Sequence, residues 1–188
     1  LYDGSPAHPG PDRLFELAQQ TGIRVLGTSP KFLASVQKAN LVPKGAFPLP
    51  RLRTILSTGA PLEPGQFHFV HEAVKRDVQL ASIAGGTDLI GCFMLGNPLA
   101  PVYAGEIQGP ALGMDIAALD EAGQPAVGQQ GELVCRQPFP SMPIYFWGDP
   151  DGAKYRKAYF EDYPGLWRHG DFVTITEHGG VIVHGRSD

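Results

Sequence analysis

Apolar residues recur along the first half of the chain at helical spacing, broken by short runs of continuous hydrophobicity. Leu14, Phe15, Leu17 and Ala18 predict one face of a helix behind Asp12 as cap, and Gly22 ends it. A short buried strand is predicted at 23–26. Ser29-Pro30 then opens a second helix, Ser as cap and Pro at the first helical position, with Phe32, Leu33 and Val36 turned inward. A proline-rich connector at 42–50 leads to a strand at 52–56, a helix at 63–75 and a strand at 78–83. Strands alternating with helices imply a parallel sheet flanked by helices. After about residue 95 the pattern changes. Short apolar runs are parted by turn signals at Asp120-Glu121-Ala122-Gly123, Val127-Gly128 and His178-Gly179-Gly180, which predicts hairpins, with one helical stretch at 151–160. The expected fold class is α/β: part of a doubly wound, mostly parallel sheet over 1–100, then a β-rich, barrel-like module over 101–188. No internal repeat is visible.

Composition adds limits rather than detail. The 188 residues are 43% apolar and 18% charged, ordinary for a soluble globular chain. The 24 glycines and 18 prolines are spread among apolar runs, so they mark turns rather than disorder. A net charge of −4 without any run of Lys or Arg argues against nucleic acid as a partner. The apolar stretch at 89–95 is too short to cross a bilayer, and no signal or lipidation motif is present, so no membrane association is expected. Cys92 and Cys135 stand far apart among apolar neighbours and are expected as buried free thiols, which fits a reducing cytoplasm. The chain opens on Leu1 without a Met and stops after an apolar strand, so a piece of a longer chain is expected.

In an open parallel sheet, ligands bind beyond the carboxyl ends of the strands. Two loops are predicted there: Ser57-Thr58-Gly59-Ala60-Pro61 and Ala84-Gly85-Gly86-Thr87-Asp88. Paired glycines let backbone N–H groups approach an anion, Thr87 offers a hydroxyl, and Asp88 offers a carboxylate to a divalent cation. The same residues also describe a plain Gly-rich turn with Asp88 as a cap, and spacing alone leaves both readings open. A third segment runs Trp167-Arg168-His169-Gly170-Asp171, with Gly185-Arg186-Ser187-Asp188 after the following hairpin. A carboxylate matches the vicinal diol of a ribose, and an arginine at the hairpin's end can reach the same sugar or a phosphate. An ordinary hairpin with a surface Asp–Arg pair is the competing reading. His68 and His71 share a predicted helix but lack a third ligand, so a solvated face is favoured over a metal site. Tyr145, Phe146 and Trp147 are read as packing between modules, and Lys154, Arg156 and Lys157 as a solvated helix face.

In order, Ser57–Pro61, Gly85–Asp88, Gly131-Glu132-Leu133-Val134, Trp167–Asp171 and Gly185–Asp188 resemble the later motifs of the adenylate-forming enzymes. Ser141–Trp147, Asp149-Pro150-Asp151-Gly152 and Tyr103–Ile107 are similar to the acetoacetyl-CoA synthetase branch of that superfamily. The resemblance implies an ATP-dependent acid–thiol ligase acting on acetoacetate, ATP and CoA through an acyl-adenylate. It implies that Gly59, Ala60 and Pro61 lie on adenine, that Gly86 belongs to the nucleotide-binding set, that Thr87 bonds the α-phosphate, and that Asp88 serves Mg²⁺, with Thr87 and Asp88 the catalytic pair. It further implies that Asp171 and Arg186 hold the ribose of ATP or AMP, and that Asp188 is the hinge to a further domain. Ser57, Ala84 and Gly85 are implied to line the acyl pocket, where a glycine at 85 leaves room for an acid longer than acetate. Two departures stand out: Asp88 is one methylene shorter than the family's usual Glu, and Ala84 replaces an aromatic. The family's phosphate loop and adenylation lysine are not in the chain, so the chain alone is expected to be inactive. A non-catalytic nucleotide-binding module, a ligase for another short acid and a purely structural domain are the alternatives.

Overall fold

The computed structural model describes residues 2–188. The chain divides into two compact units, one running to Ser82 and taking in Pro98–Gly105, the other made of Ile83–Asn97 and Glu106–Asp188.

The first unit holds a three-stranded parallel sheet in the order β1 (Val25–Thr28), β2 (Thr54–Ser57), β3 (Gln79–Ser82). Leu26 pairs with Ile55, and Ile55 with Leu80, so one row of apolar side chains crosses all three strands. Parallel neighbours need long crossovers, and helices supply them. These are α2 (Pro30–Lys38) with a single turn α3 (Pro43–Ala46) between the first two strands, and α4 (Pro64–Phe69) continued by a π-helical turn (Val70–Val74) between the last two. Helix α1 (Arg13–Thr21) precedes β1. The core gathers Phe15, Leu33, Val36, Leu52, Ile55, Phe67, Val70 and Leu80, each nearly or fully buried.

Local signals act largely as the sequence predicts. Ser29 Oγ accepts from the Phe32 N–H at 3.2 Å with Pro30 at the first turn. Gly22 closes α1 in the left-handed conformation (φ 62°), where any side chain would also press on Arg51. Several expectations are corrected. Asp12 precedes α1 but makes no side-chain cap, because its carboxylate turns back toward Gly10. Strands β1 and β2 begin about two residues later than predicted, since Leu52 buries itself from the preceding turn. The 42–50 connector contains α3, started by Pro43 at the first helical position.

The named strands of the second unit all pair antiparallel. One sheet is ordered β4 (Ala84–Gly86), β5 (Gly91–Leu95), β6 (Gly109–Pro110); the other is a meander of β7 (Ile116–Leu119), β8 (Gln130–Cys135), β9 (Trp167–Ile175) and β10 (Val181–Arg186). Helix α5 (Ala153–Phe160) lies between β8 and β9 in sequence. Leu89, Phe93, Leu133, Trp167, Val173 and Val181 form its core. The predicted turn at 120–123 closes on a backbone bond from Gly123 to Asp120, and the one at 178–180 lies in a turn closed by a bond from Thr176 to Gly180. The stretch 84–86, predicted as a phosphate-type loop, is instead a strand paired with β5. The aromatic trio also separates: Phe146 packs edge-on to Tyr155 and Tyr159, while Tyr145 and Trp147 are exposed.

Candidate functional site

The β4–β5 hairpin explains its own glycines. A Cβ on Gly85 would collide with the Gly91 carbonyl oxygen and the Cys92 Cα, so the close approach of the two strands requires glycine. At Gly86 an added Cβ would stand 2.8 Å from Cε1 of His169. Close packing accounts for both glycines, a reason the sequence reading, which left an anion-approaching loop and a plain turn both open, did not include. Thr87 and Asp88 follow on the exposed turn of the hairpin, and Leu89 plugs back into the core.

Strand β9 brings the second half of the site. Trp167 is buried, edge-on to Phe139 at 5.3 Å and stacked face to face with Tyr159 of α5 at 3.6 Å. Two residues on, His169 packs edge-on to Phe93 at 4.8 Å, and its side chain is only 8% exposed. Burial pushes its pKa below the ordinary histidine value despite the Asp171 carboxylate 3.6 Å away, so the neutral ring is the stable form near neutrality. Burial likewise raises the Asp171 carboxyl above its usual range, against the pull of His169 and Arg186. Arg186, on the adjacent strand β10, bonds both oxygens of Asp188 at 2.9 and 2.6 Å. It also reaches Asp171 at 3.4 Å and the His169 carbonyl at 3.2 Å. The bond from Arg186 holds the Asp188 carboxyl below its ordinary range.

Beneath this row sits an acid that the sequence reading did not single out. Glu132 of β8, 6% exposed, accepts from the Gly170 N–H at 3.0 Å and from Arg168 at 3.4 Å. Arg168 in turn pairs with Asp162 at 2.9 Å and bonds Ser187 Oγ at 3.3 Å. One buried carboxylate thus ties β8 to the turn of β9 and to the tail after β10. The sequence did carry a signal, since Glu132 is the single charge in the run Gly131–Cys135 and a lone acid in a buried strand must be paired.

Arg168, His169, Gly170, Arg186 and Asp188, with the Glu132 and Asp171 carboxylates behind them, border a cleft of about 490 Å³ inside the second unit, within the range of small-molecule sites. Gly85, Gly86, Thr87, Asp88, Arg186 and Asp188, all predicted from sequence, lie on its wall, and Asp171 joins through Arg186. Tyr159, Trp167 and His169 line it too and were missed as site residues. Ala84 is not on the wall; it packs against the core. Ser57, Gly59, Ala60 and Pro61 belong to the first unit: Ser57 ends β2 fully buried, and the next residues form an exposed turn with Gly59 at φ 92°. Among the described residues no cluster of three or more His, Cys, Asp or Glu is arranged to hold a metal, and no helix is long and apolar enough to cross a membrane. Cys92 and Cys135 are both free, Cys135 buried and Cys92 half-buried.

Residues 1–146 match the sequence family described as AMP-binding enzyme, and the chain belongs to that family. Within it, the chain is 53% identical over 188 residues to the acetoacetyl-coenzyme A synthetase of Rhizobium meliloti and 49% identical over 189 residues to that of Gallus gallus. Each comparison covers all of this chain but only 29% and 28% of the relative, so the chain spans less than a third of their length. Among solved structures, an acetoacetyl-CoA synthetase from Streptomyces lividans superposes with a TM-score of 0.92 at 43% identity, covering 100% of this chain and 30% of that one. An anthranilate CoA ligase solved with anthranoyl-AMP superposes with a TM-score of 0.82 over 100% of this chain and 34% of its own, and at 18% identity it speaks for the fold alone.

Proposed function

We propose that this chain is part of an ATP-dependent acid–thiol ligase that forms acetoacetyl-CoA from acetoacetate, ATP and CoA. The observation that carries the reading is the convergence of Thr87, Asp88, Asp171, Arg186 and Asp188 around one cleft, in a chain nearly half or more identical to acetoacetyl-CoA synthetases. In this reading Asp171 accepts from the ribose hydroxyls, with Arg186 steadying its carboxylate. Thr87 donates its hydroxyl to the α-phosphate, and Asp188 is the pivot beyond which a further domain moves.

A divalent cation fits the donor set in one way only. Asp88 offers a hard carboxylate on an exposed turn, and no protein cage surrounds it among the described residues. Mg²⁺ binds through one or two carboxylates plus substrate phosphates, so Asp88 would hold an ion that arrives with ATP. Such an ion, when bound, would supply charge neutralisation at the phosphates. The protein's part is positioning and charge stabilisation, which accounts for a site of hydroxyl, carboxylates and guanidinium without a nucleophile.

The test is pyrophosphate release by the full-length protein presented with acetate, acetoacetate and medium-chain acids. Release fastest with acetoacetate is expected. Release with none of them would remove the ligase reading, and preference for another acid would remove acetoacetate alone.

A further inference from the structure

One polar contact in the cleft is left without a role by that reading. Tyr159, near the end of α5, donates its phenolic O–H to Oδ2 of Asp88. The ring cannot drift, because it lies flat on Trp167 (3.6 Å, 16°), which is itself buried and braced edge-on by Phe139 and Phe160. Phe146 and Tyr155 close on its other edges at 6.0 and 5.9 Å. The helix that carries it buries no residue fully, and its first turn is anchored by Asp149, which accepts from the N–H groups of Lys154 and Tyr155 at 3.0 and 2.9 Å. Asp88, by contrast, stands on an exposed turn, and no cation pairs with it among the described residues. A phenol keeps its proton through the neutral range, so the hydroxyl is available as a donor.

We propose that Tyr159 is a positioning residue: its hydroxyl fixes one oxygen of the Asp88 carboxylate and leaves the other to the divalent cation that arrives with the nucleotide. An ionised carboxylate has about four acceptor sites, so one phenol bond orients the group without saturating it. Groups that orient a metal ligand in this way change metal affinity by about 10–100-fold when removed. The aromatic stack supplies what an exposed turn lacks, a fixed point from which to aim a short side chain. This inference rests on the nucleotide reading of the cleft.

The test uses the full-length protein and two readouts other than turnover: AMP affinity without metal, by calorimetry, and the Mg²⁺ concentration that half-saturates ATP binding. Tyr159→Phe keeps the ring stack and removes only the hydroxyl. The expected result is unchanged AMP affinity and melting temperature, with the Mg²⁺ requirement raised about tenfold. Asp88→Asn should raise it at least as far, and the double variant no further. An unmoved Mg²⁺ requirement in Tyr159→Phe beside a raised one in Asp88→Asn overturns the role of Tyr159 alone. If neither variant moves it, the metal role of Asp88 falls as well. A lower melting temperature with weaker AMP binding would assign the hydroxyl to the fold, and absence of AMP binding to the unmodified protein would end both readings.

Discussion

The two units handle charge differently. In the first, Arg13 pairs with Glu16 at the surface, and Lys75, its side chain only 10% exposed, reaches out to an Asp77 that is 70% exposed, around a core built of aliphatic and aromatic side chains. In the second, Glu132, His169 and Asp171 have side chains only 8, 8 and 13% exposed, tied to Arg168 and Arg186. Buried ionisable groups cost several kcal/mol each unless paired, so a fold does not accumulate them by chance. Their neighbourhood is also the wall of the cleft. Buried, paired charge beside a cleft is the setting in which functional sites cluster.

The sharpest way to break that contrast is to remove one large side chain from each core. Phe15→Ala and Trp167→Ala are each expected to destabilise by about 3–5 kcal/mol in denaturant unfolding. AMP affinity should fall only for Trp167→Ala; equal loss in both variants would erase the distinction. Next come the ion pairs. Glu132→Ala leaves Arg168 and the Gly170 N–H without their buried partner, at a cost of about 3–5 kcal/mol, toward the lower end because Arg168 is partly exposed. Removing Glu16 from the first unit's surface pair should cost no more than about 1 kcal/mol. A ribose-binding carboxylate predicts that Asp171→Ala lowers nucleotide affinity at least about tenfold, since hydrogen bonds to charged groups contribute about 1.5–3 kcal/mol. Unchanged affinity would remove that assignment. The smallest effect is in pH. Because burial depresses the folded pKa of His169, the unfolded chain takes up the proton first as pH falls through about 6.5. Stability should therefore decline from about pH 6.5 down to the lower folded value, and His169→Asn should flatten that decline.

Much of the first unit was legible in the sequence because its signals are local. Ser29 and Pro30 start a helix, Gly22 ends one, and the apolar spacing of Phe32, Leu33 and Val36 names a buried face; all three behave so in the fold. In the second unit the predicted motifs Thr87-Asp88, Asp171 and Gly185–Asp188 do arrive at one place, although nothing in their spacing, between about 15 and 85 residues, requires it. Gly85 and Gly86 were read as a phosphate-type loop, since paired glycines look alike in a loop and in two strands pressed together. Tyr159 was invisible because α5 is weakly amphipathic and nothing local sets one of its aromatic residues apart from the others.

Residue identity alone determined the punctuation of the chain, the α/β class and the chemical types at the site, because caps, turns and periodicity act over a few residues. Which hydroxyl meets which carboxylate was decided only by the tertiary structure. The bond from Tyr159 to Asp88 joins residues 71 apart, and that from Gly170 to Glu132 joins residues 38 apart. Such contacts exist only once the sheet register and the aromatic stack have brought their ends together, and no local preference encodes that register.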